Sequence, residues 1–306
     1  MRTRRLLMGL ALGSTALGVA FGAAAQPPAP APPAVQSPPT EIYLSPMKFG
    51  PNGPLVGPAR NVTDNPGRYD NQPFFGSDGR TMLFASNRDG AQTDIYFLEL
   101  QTRQMRQFTR TAESEYSPTV MPDDAGVSAI RVEADGTQRL WKFGEGGRDA
   151  AVVLPNVTPA GYHAWIDAGR VAVYVLGTPA TLQIVEVASG RAEIVARDIG
   201  RSLLRRPTGT VSFVVREGDG WMVKEYDPAS GQIRPLVAAL DGSPDRDAAW
   251  GPDGTLFMAR GHEVFAWRPG AADFRLAGDP GVGPISRMAV SRDGRWMALV
   301  VAEGQN

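Results

Sequence analysis

A small residue at a tight turn, followed at once by an apolar run, recurs six times between Glu41 and Asn306. The turn residues are Gly79, Ala125, Gly169, Gly209, Gly254 and Gly294. Their mean spacing, about 43 residues, is the length of one four-stranded propeller blade. The runs that follow are Met82 to Ala85, Val127 to Ile130, Val171 to Tyr174, Val211 to Val214, Leu256 to Ala259 and Trp296 to Leu299. Apolar runs of this length bounded by Gly, Pro and Asp read as strands. Polar reversals such as Asp89-Gly90, Asp135-Gly136 and Asp219-Gly220 then lead to third strands, for example Ile95 to Leu98 and Val264 to Trp267. Asp-Gly supplies the positive φ that a tight hairpin demands. Each repeat ends in a more polar strand, as an outer edge should.

The sixth repeat stops after its second strand. Its missing strands stand at the other end of the chain. Glu41 to Leu44 has the pattern of Asp94 to Phe97, and Pro58 to Thr63 that of Gln104 to Thr109. The expected fold is therefore all-β: a six-bladed β-propeller of four-stranded antiparallel blades, with the last blade closed by the N-terminal strands. A β-sandwich of similar strand count would predict neither one period nor complementary half-blades at the two ends. Closure leaves only short, protected edges.

Ahead of the repeats stand two other segments. Arg2, Arg4 and Arg5 precede an apolar run from Leu6 to Phe21, which ends in Ala23-Ala24-Ala25. Basic start, short apolar run and small-residue ending describe a secretory signal peptide, residues 1–25, with cleavage near Ala25. The run is too short and too rich in Gly and Ala for a spanning helix. Residues 26–40 read as a proline-rich linker, since proline fixes φ and removes N–H donors. The propeller then occupies 41–306. The expected location is the periplasm or the medium, with no membrane insertion.

The 306 residues contain no cysteine and only two histidines, and the formal net charge is -1. Disulfides, thiolate chemistry and thiolate metal sites are excluded. Nothing in the charge balance favours nucleic acid. No nucleophile elbow occurs in the mature chain, and no metalloprotease, P-loop or EF-hand motif occurs in the chain.

The stretch Tyr69 to Thr109 resembles the WD40-like repeat of TolB-type propellers. It carries Asp70, Pro73, Phe74, Ser77-Asp78-Gly79, Ser86-Asn87-Arg88-Asp89-Gly90 and Ile95-Tyr96. Echoes stand at Tyr116-Ser117-Pro118, Trp250 to Gly254 and Ser291 to Gly294; Gly76-Ser77 replaces the family's proline before Asp78. The resemblance implies the TolB-like six-bladed fold. The α/β domain that precedes the propeller in TolB has no counterpart here.

Innermost strands of a propeller line a central channel, and ligands bind where polar groups converge in a concavity. The expected channel-face residues are Asp70, Asn71, Glu115, Tyr116, His163, Arg205, Arg246, Asp247 and Arg287. The arginines would clamp a carboxylate or a peptide terminus through paired N–H donors. Asp70, Glu115 and Asp245 fall at equivalent repeat positions, where a hard cation such as calcium would find oxygen ligands. The simpler reading is that each caps a turn or pairs with an arginine, and no cofactor is expected. The expected function is an exported, non-catalytic, monomeric binding or scaffold propeller that contacts a periplasmic or envelope protein or peptide. The alternative is a metal-dependent hydrolase or lyase using channel carboxylates.

Overall fold

Each apolar run identified above is the second strand of a blade, and burial explains its composition. The computed structural model describes residues 38–51, 53–90, 92–243 and 246–304, all within one compact unit, Gln36–Asn306. The expected signal peptide, residues 1–25, and nearly all of the expected proline-rich linker lie outside the described residues. Met82, Leu83, Phe84 and Ala85 are all inaccessible to solvent. A second strand is covered on both faces by neighbouring blades, so both of its faces are apolar and no polar alternation survives. The outermost strands, such as Ala192–Arg197 and Ile233–Ala238, are mostly exposed, and leave Ile194 and Ile233 in contact with solvent.

Six antiparallel sheets form six blades. Their inner strands are Asp70–Phe75, Ser114–Val120, Ala160–Asp167, Ile199–Arg205, Ala248–Trp250 and Ile285–Val290, for blades one to six. Six core clusters lie among the described residues, one at each junction between consecutive blades. The cluster joining blades six and one holds Ile42, Leu44, Val62, Phe75, Met82 and Phe84 together with Ala298 and Val300. The ring is thus held by apolar contacts that pass all the way around it.

Closure occurs as expected. Thr40–Gly50 pairs antiparallel with Trp296–Ala302, with Ile42 opposite Val300 and Tyr43 opposite Leu299. Arg60–Asn61 adds the fourth strand on the far side of Tyr43 and Leu44. One feature has no counterpart in the repeat pattern. The closing strand runs on past the blade and turns back as a hairpin, Met47 to Gly50 against Gly53 to Val56. The hairpin leans on blade five, where Phe49 meets the edge of Phe257 at 6.4 Å. Gly278 there has φ +158°, and a Cβ on it would fall 2.4 Å from the Val56 carbonyl oxygen. Only glycine allows that approach.

Candidate functional site

The inner strands surround a central cavity of about 870 Å³. Five of them are bulged where they pair with the second strand of their own blade. A bulge adds a residue and re-aims side chains. Gln72 and Ser117 take the strain directly, with φ of +57° and +53°, a region L-residues seldom enter. Counted by register on the second strands, Gln72, Ser117, Tyr162, Ser202, Asp247 and Arg287 stand at one level, one per blade.

That level is the narrow end of the cavity. Ser117 N–H donates to Gln72 Oε1 at 2.7 Å, and the Ser117 hydroxyl donates to the Gly161 carbonyl at 3.4 Å, linking blades one, two and three. Two guanidiniums cross the opening. Arg201 on blade four donates to the Ser286 carbonyl on blade six at 3.2 Å. Arg287 on blade six donates to the Tyr162 hydroxyl on blade three, directly opposite, at 3.3 Å. Burial alone would lower the Arg287 pKa; Asp247 and the hydroxyls of Tyr162 and Tyr69 more than offset it, and it is raised further. Asp247 accepts the Met288 N–H at 2.8 Å.

The side wall is tied by hydrogen bonds between blades. His163 Nε2 lies 2.7 Å from Ser128 Oγ, which also accepts the Trp165 indole N–H at 2.8 Å. Burial pushes His163 down to about 3, so the imidazole is neutral. Trp250 repeats the arrangement on blade five, donating to Ser212 Oγ at 2.7 Å. Arg206 pairs with Glu225 and stacks on Trp250, 4.4 Å from its ring. The wide end is formed by the loops that join inner to second strands. It carries Asp123, Asp124, Asp167, Arg205 and Arg292.

The expected channel residues therefore divide. His163, Asp247 and Arg287 line the cavity together. Arg205 lines it too, but at the wide rim: it ends the inner strand next to the turn at Gly209. Asp70, Asn71, Glu115, Tyr116 and Arg246 are not part of the lining. Asp70 is fully buried and pairs with Arg88 at 2.9 Å; burial raises its pKa and Arg88 offsets this only in part. Glu115, also fully buried, accepts from Arg131 Nε and Thr109 Oγ1, each at 3.0 Å, yet burial lifts it to about 7. Asn71 donates to Thr40 Oγ1 at 3.2 Å. Tyr116 accepts from Thr93 Oγ1 at 3.3 Å and packs on Tyr69. Arg246 donates to the Ser243 carbonyl at 3.4 Å and lies over Trp221. Asp245 is outside the described residues. Among the described residues no three His, Cys, Asp or Glu side chains come together as a metal-binding group, and no helix is long and apolar enough to cross a membrane.

Sequence reasoning missed Arg201. Its signal was available only through the pairing register, because the outer strand of blade three passes into Ile199 through the single residue Asp198. No loop marks the start of that inner strand.

No protein-family model and no curated protein matches the sequence. Solved structures do match the fold. A protein assigned as TolB from Agrobacterium tumefaciens is 13% identical with a TM-score of 0.65, over 86% of this chain and 99% of that one. TolB from Acinetobacter baumannii is 14% identical with a TM-score of 0.56, over 86% of this chain and 64% of that one. An oligogalacturonate lyase in complex with manganese is 12% identical with a TM-score of 0.53, over 88% and 99%. At such identities the likeness concerns architecture: the chain is a TolB-like six-bladed propeller.

Proposed function

We propose that the chain is an exported, monomeric binding propeller that holds a protein or peptide partner in its axial cavity, in the periplasm or outside the cell. The observation that carries this reading is the narrow end of the cavity. Directional donors and acceptors from several blades converge there, in a concavity of the size that ligand sites occupy. The buried acids near it are committed to structure: Asp247 to a backbone N–H, Asp70 and Glu115 to arginines. Two of the fold's relatives are TolB proteins, which fits a scaffold role. Export rests on the basic start, apolar run and Ala23-Ala24-Ala25 of the sequence. A photo-crosslinking residue placed at Tyr162 in living cells is expected to capture one discrete partner. Adducts no different from those of an exposed outer-strand position such as Glu193 would overturn the proposal.

A second reading draws on the manganese-bound lyase that shares the fold. A metal-dependent lyase or hydrolase would need a cation such as calcium or manganese in the cavity. Metal titration with a melting readout separates the two: a saturable rise in melting temperature with either cation favours the enzyme.

A further inference from the structure

We infer that the partner docks on the wide-rim face over blades four to six, and that its docking segment is an acidic loop with an apolar residue beside the acids. Arg205 and Arg292 receive the acids, and the hairpin from Met47 to Val56 receives the apolar residue. The inference rests on the reading above that the cavity binds a protein or peptide. It reverses the face of approach that the sequence suggests, since the loops leading into the inner strands stand at the narrow end.

The two ends of the cavity differ. At the narrow end the Arg287–Tyr162 hydrogen bond joins blade six to blade three across the axis. The lining stops at this level as well: Gln72, Ser117 and Tyr162 belong to it, and Asp70, Asn71, Glu115 and Tyr116 do not. A loop reaches the cavity from the wide rim without breaking that bond.

The wide-rim face also carries an element outside the repeat. Strands alternate in direction, so the third-to-fourth connections share a face with the inner-to-second turns. In blades one to five those connections are residues 100–104, 144–150, 187–191, 227–232 and 268–274, five to seven residues each; in blade six it is 47–59, thirteen residues. Long connections on a rigid scaffold are where binding surfaces concentrate. Met47 and Val56 are buried between blades five and six, but Phe49 and Leu55 stand exposed, Leu55 to 63%. Leu276, also exposed, lies on the blade-five strand that the hairpin leans against. These are three of the six large apolar side chains exposed among the described residues. Scattered singly they would need no explanation; gathered on one shoulder they mark a contact surface. The hairpin extends to the mouth. A Cβ on Gly294 would lie 2.8 Å from the Phe49 ring and 3.1 Å from Pro252 Cγ, and Pro252 lines the cavity.

Charge on the rim is divided. Blade four contributes Arg205 and blade six Arg292, on either side of blade five, and both are exposed. Neither has a hydrogen-bond or ion-pair partner among the described residues. The acids of the adjoining turns are already engaged, Asp253 with Arg268 and Asp293 with Arg295. Arg206 is paired with Glu225, and Asp167 with Arg170. The remaining acids of the mouth, Asp123 and Asp124, stand exposed on blade two, directly opposite blade five. An acidic segment is thus drawn to the blade-five side and repelled from the blade-two side. Lys48 on the hairpin adds a third exposed cation. Each exposed pair contributes little by itself. Together such rim charges steer association and set a partner's orientation, and the hairpin supplies the apolar contact that charges lack.

The probe is a phage library displaying random loops closed by a disulfide, selected on the purified protein and sequenced. The expected result is a set of loops enriched in Asp and Glu, depleted in Lys and Arg, with an aromatic or aliphatic residue recurring beside the acids. A synthetic copy of one selected loop then locates the contact. Replacing Arg205 and Arg292 together by alanine should weaken its binding about fivefold at low salt and hardly at all at about 1 M salt, where the screening length is about 3 Å. Leu55→Ser should weaken it about threefold at either salt. Arg68→Ala, a cation on the opposite face, should leave it within about twofold. Selection repeated on the double variant Arg205→Glu, Arg292→Glu should return basic loops, with melting curves confirming that every variant is folded. Selected loops of neutral or basic composition overturn this docking site and leave the binding reading standing. So do acidic loops that bind the Arg205, Arg292 and Leu55 variants as tightly as the wild type, or that are weakened by Arg68→Ala instead. Selection of no loop at all overturns both.

Discussion

Blades one and two fasten their inner strands with buried charge, whereas blades three and five use neutral hydrogen bonds. In blade one, Asp70 opens the inner strand and pairs with Arg88, while Asn65 from blade six donates to it at 3.1 Å. In blade two, Glu115 stands at the matching level and pairs with Arg131, with Thr109 of the incoming connection donating to it. Blades three and five instead carry Trp165 and Trp250 at the opposite end of the inner strand. Each indole N–H reaches a serine hydroxyl on the preceding blade. A buried carboxylate must be desolvated and then compensated, and its net worth depends on pH. An indole donor brings a large apolar surface and one uncharged hydrogen bond. The same structural need is thus met in two ways that respond differently to mutation and to acid.

The largest effect that sharpens this contrast is expected at Trp250. The side chain is buried, belongs to the cluster between blades four and five, and carries Arg206 on its face. Trp250→Ala should cost about 3–5 kcal/mol of unfolding free energy, the usual range for emptying an aromatic site. A loss below about 1 kcal/mol in urea titration would mean that the neutral junction contributes little.

The charged junction should reveal itself through pH. Glu115 is held at about 7, above its ordinary 4.5, so the folded protein binds more protons than the unfolded chain between those values. Its contribution is full below pH 4.5 and is lost as pH rises through 7. His163 has the opposite sign. It is pushed down to about 3 from 6.5, so stability is lost as pH falls below 6.5. Each amounts to about 2 kcal/mol between pH 5 and pH 8, in opposing directions. The two contributions therefore largely offset each other across that range. Glu115→Gln should become more stable toward pH 8, and His163→Gln more stable toward pH 5, each relative to the wild-type curve. Parallel urea midpoints for all three proteins would break the comparison.

The ring was legible in the sequence because each step of its construction leaves a local trace. Turn residues mark the period, doubly covered second strands read as unbroken apolar runs, and Glu41 to Leu44 repeats the pattern of the strand it replaces. The hairpin from Met47 to Val56 was not legible, since its reason is a contact with blade five that no repeat shares. The cavity was legible only in part. Asp70 and Glu115 lie next to turns and look available, but Arg88 and Arg131 enclose them once the blade folds. Arg205 was placed one strand length from its true level, because blade four lacks the Asp-x-x-Pro phrase that marks the start of blade one. Arg201 and Tyr162 take their importance from bonds across the axis. Such contacts join residues far apart in sequence and leave no pattern within any repeat.

The smallest predicted effect is also the most specific. Trp250→Phe keeps most of the ring and removes only the N–H that reaches Ser212 at 2.7 Å. Ser212 is buried and also lies 3.5 Å from the Leu204 carbonyl, to which its hydroxyl donates. Its oxygen thus loses one donor without losing its own acceptor. The expected cost is about 1 kcal/mol, the net worth of one neutral hydrogen bond. Residue 248, at the level His163 occupies in blade three, is alanine, so no imidazole titrates at this junction. The cost should therefore be the same at pH 5 and pH 8. The matching Trp165→Phe change strips a donor from Ser128, whose oxygen is shared with His163. With Trp165 gone, that hydroxyl is freer to accept from a protonated imidazole, which raises the histidine's pKa and shrinks the penalty at low pH. Trp165→Phe should then cost less at pH 5 than at pH 8, while Trp250→Phe costs the same at both. Equal pH responses in the two variants would show that the histidine is not part of the blade-three tie.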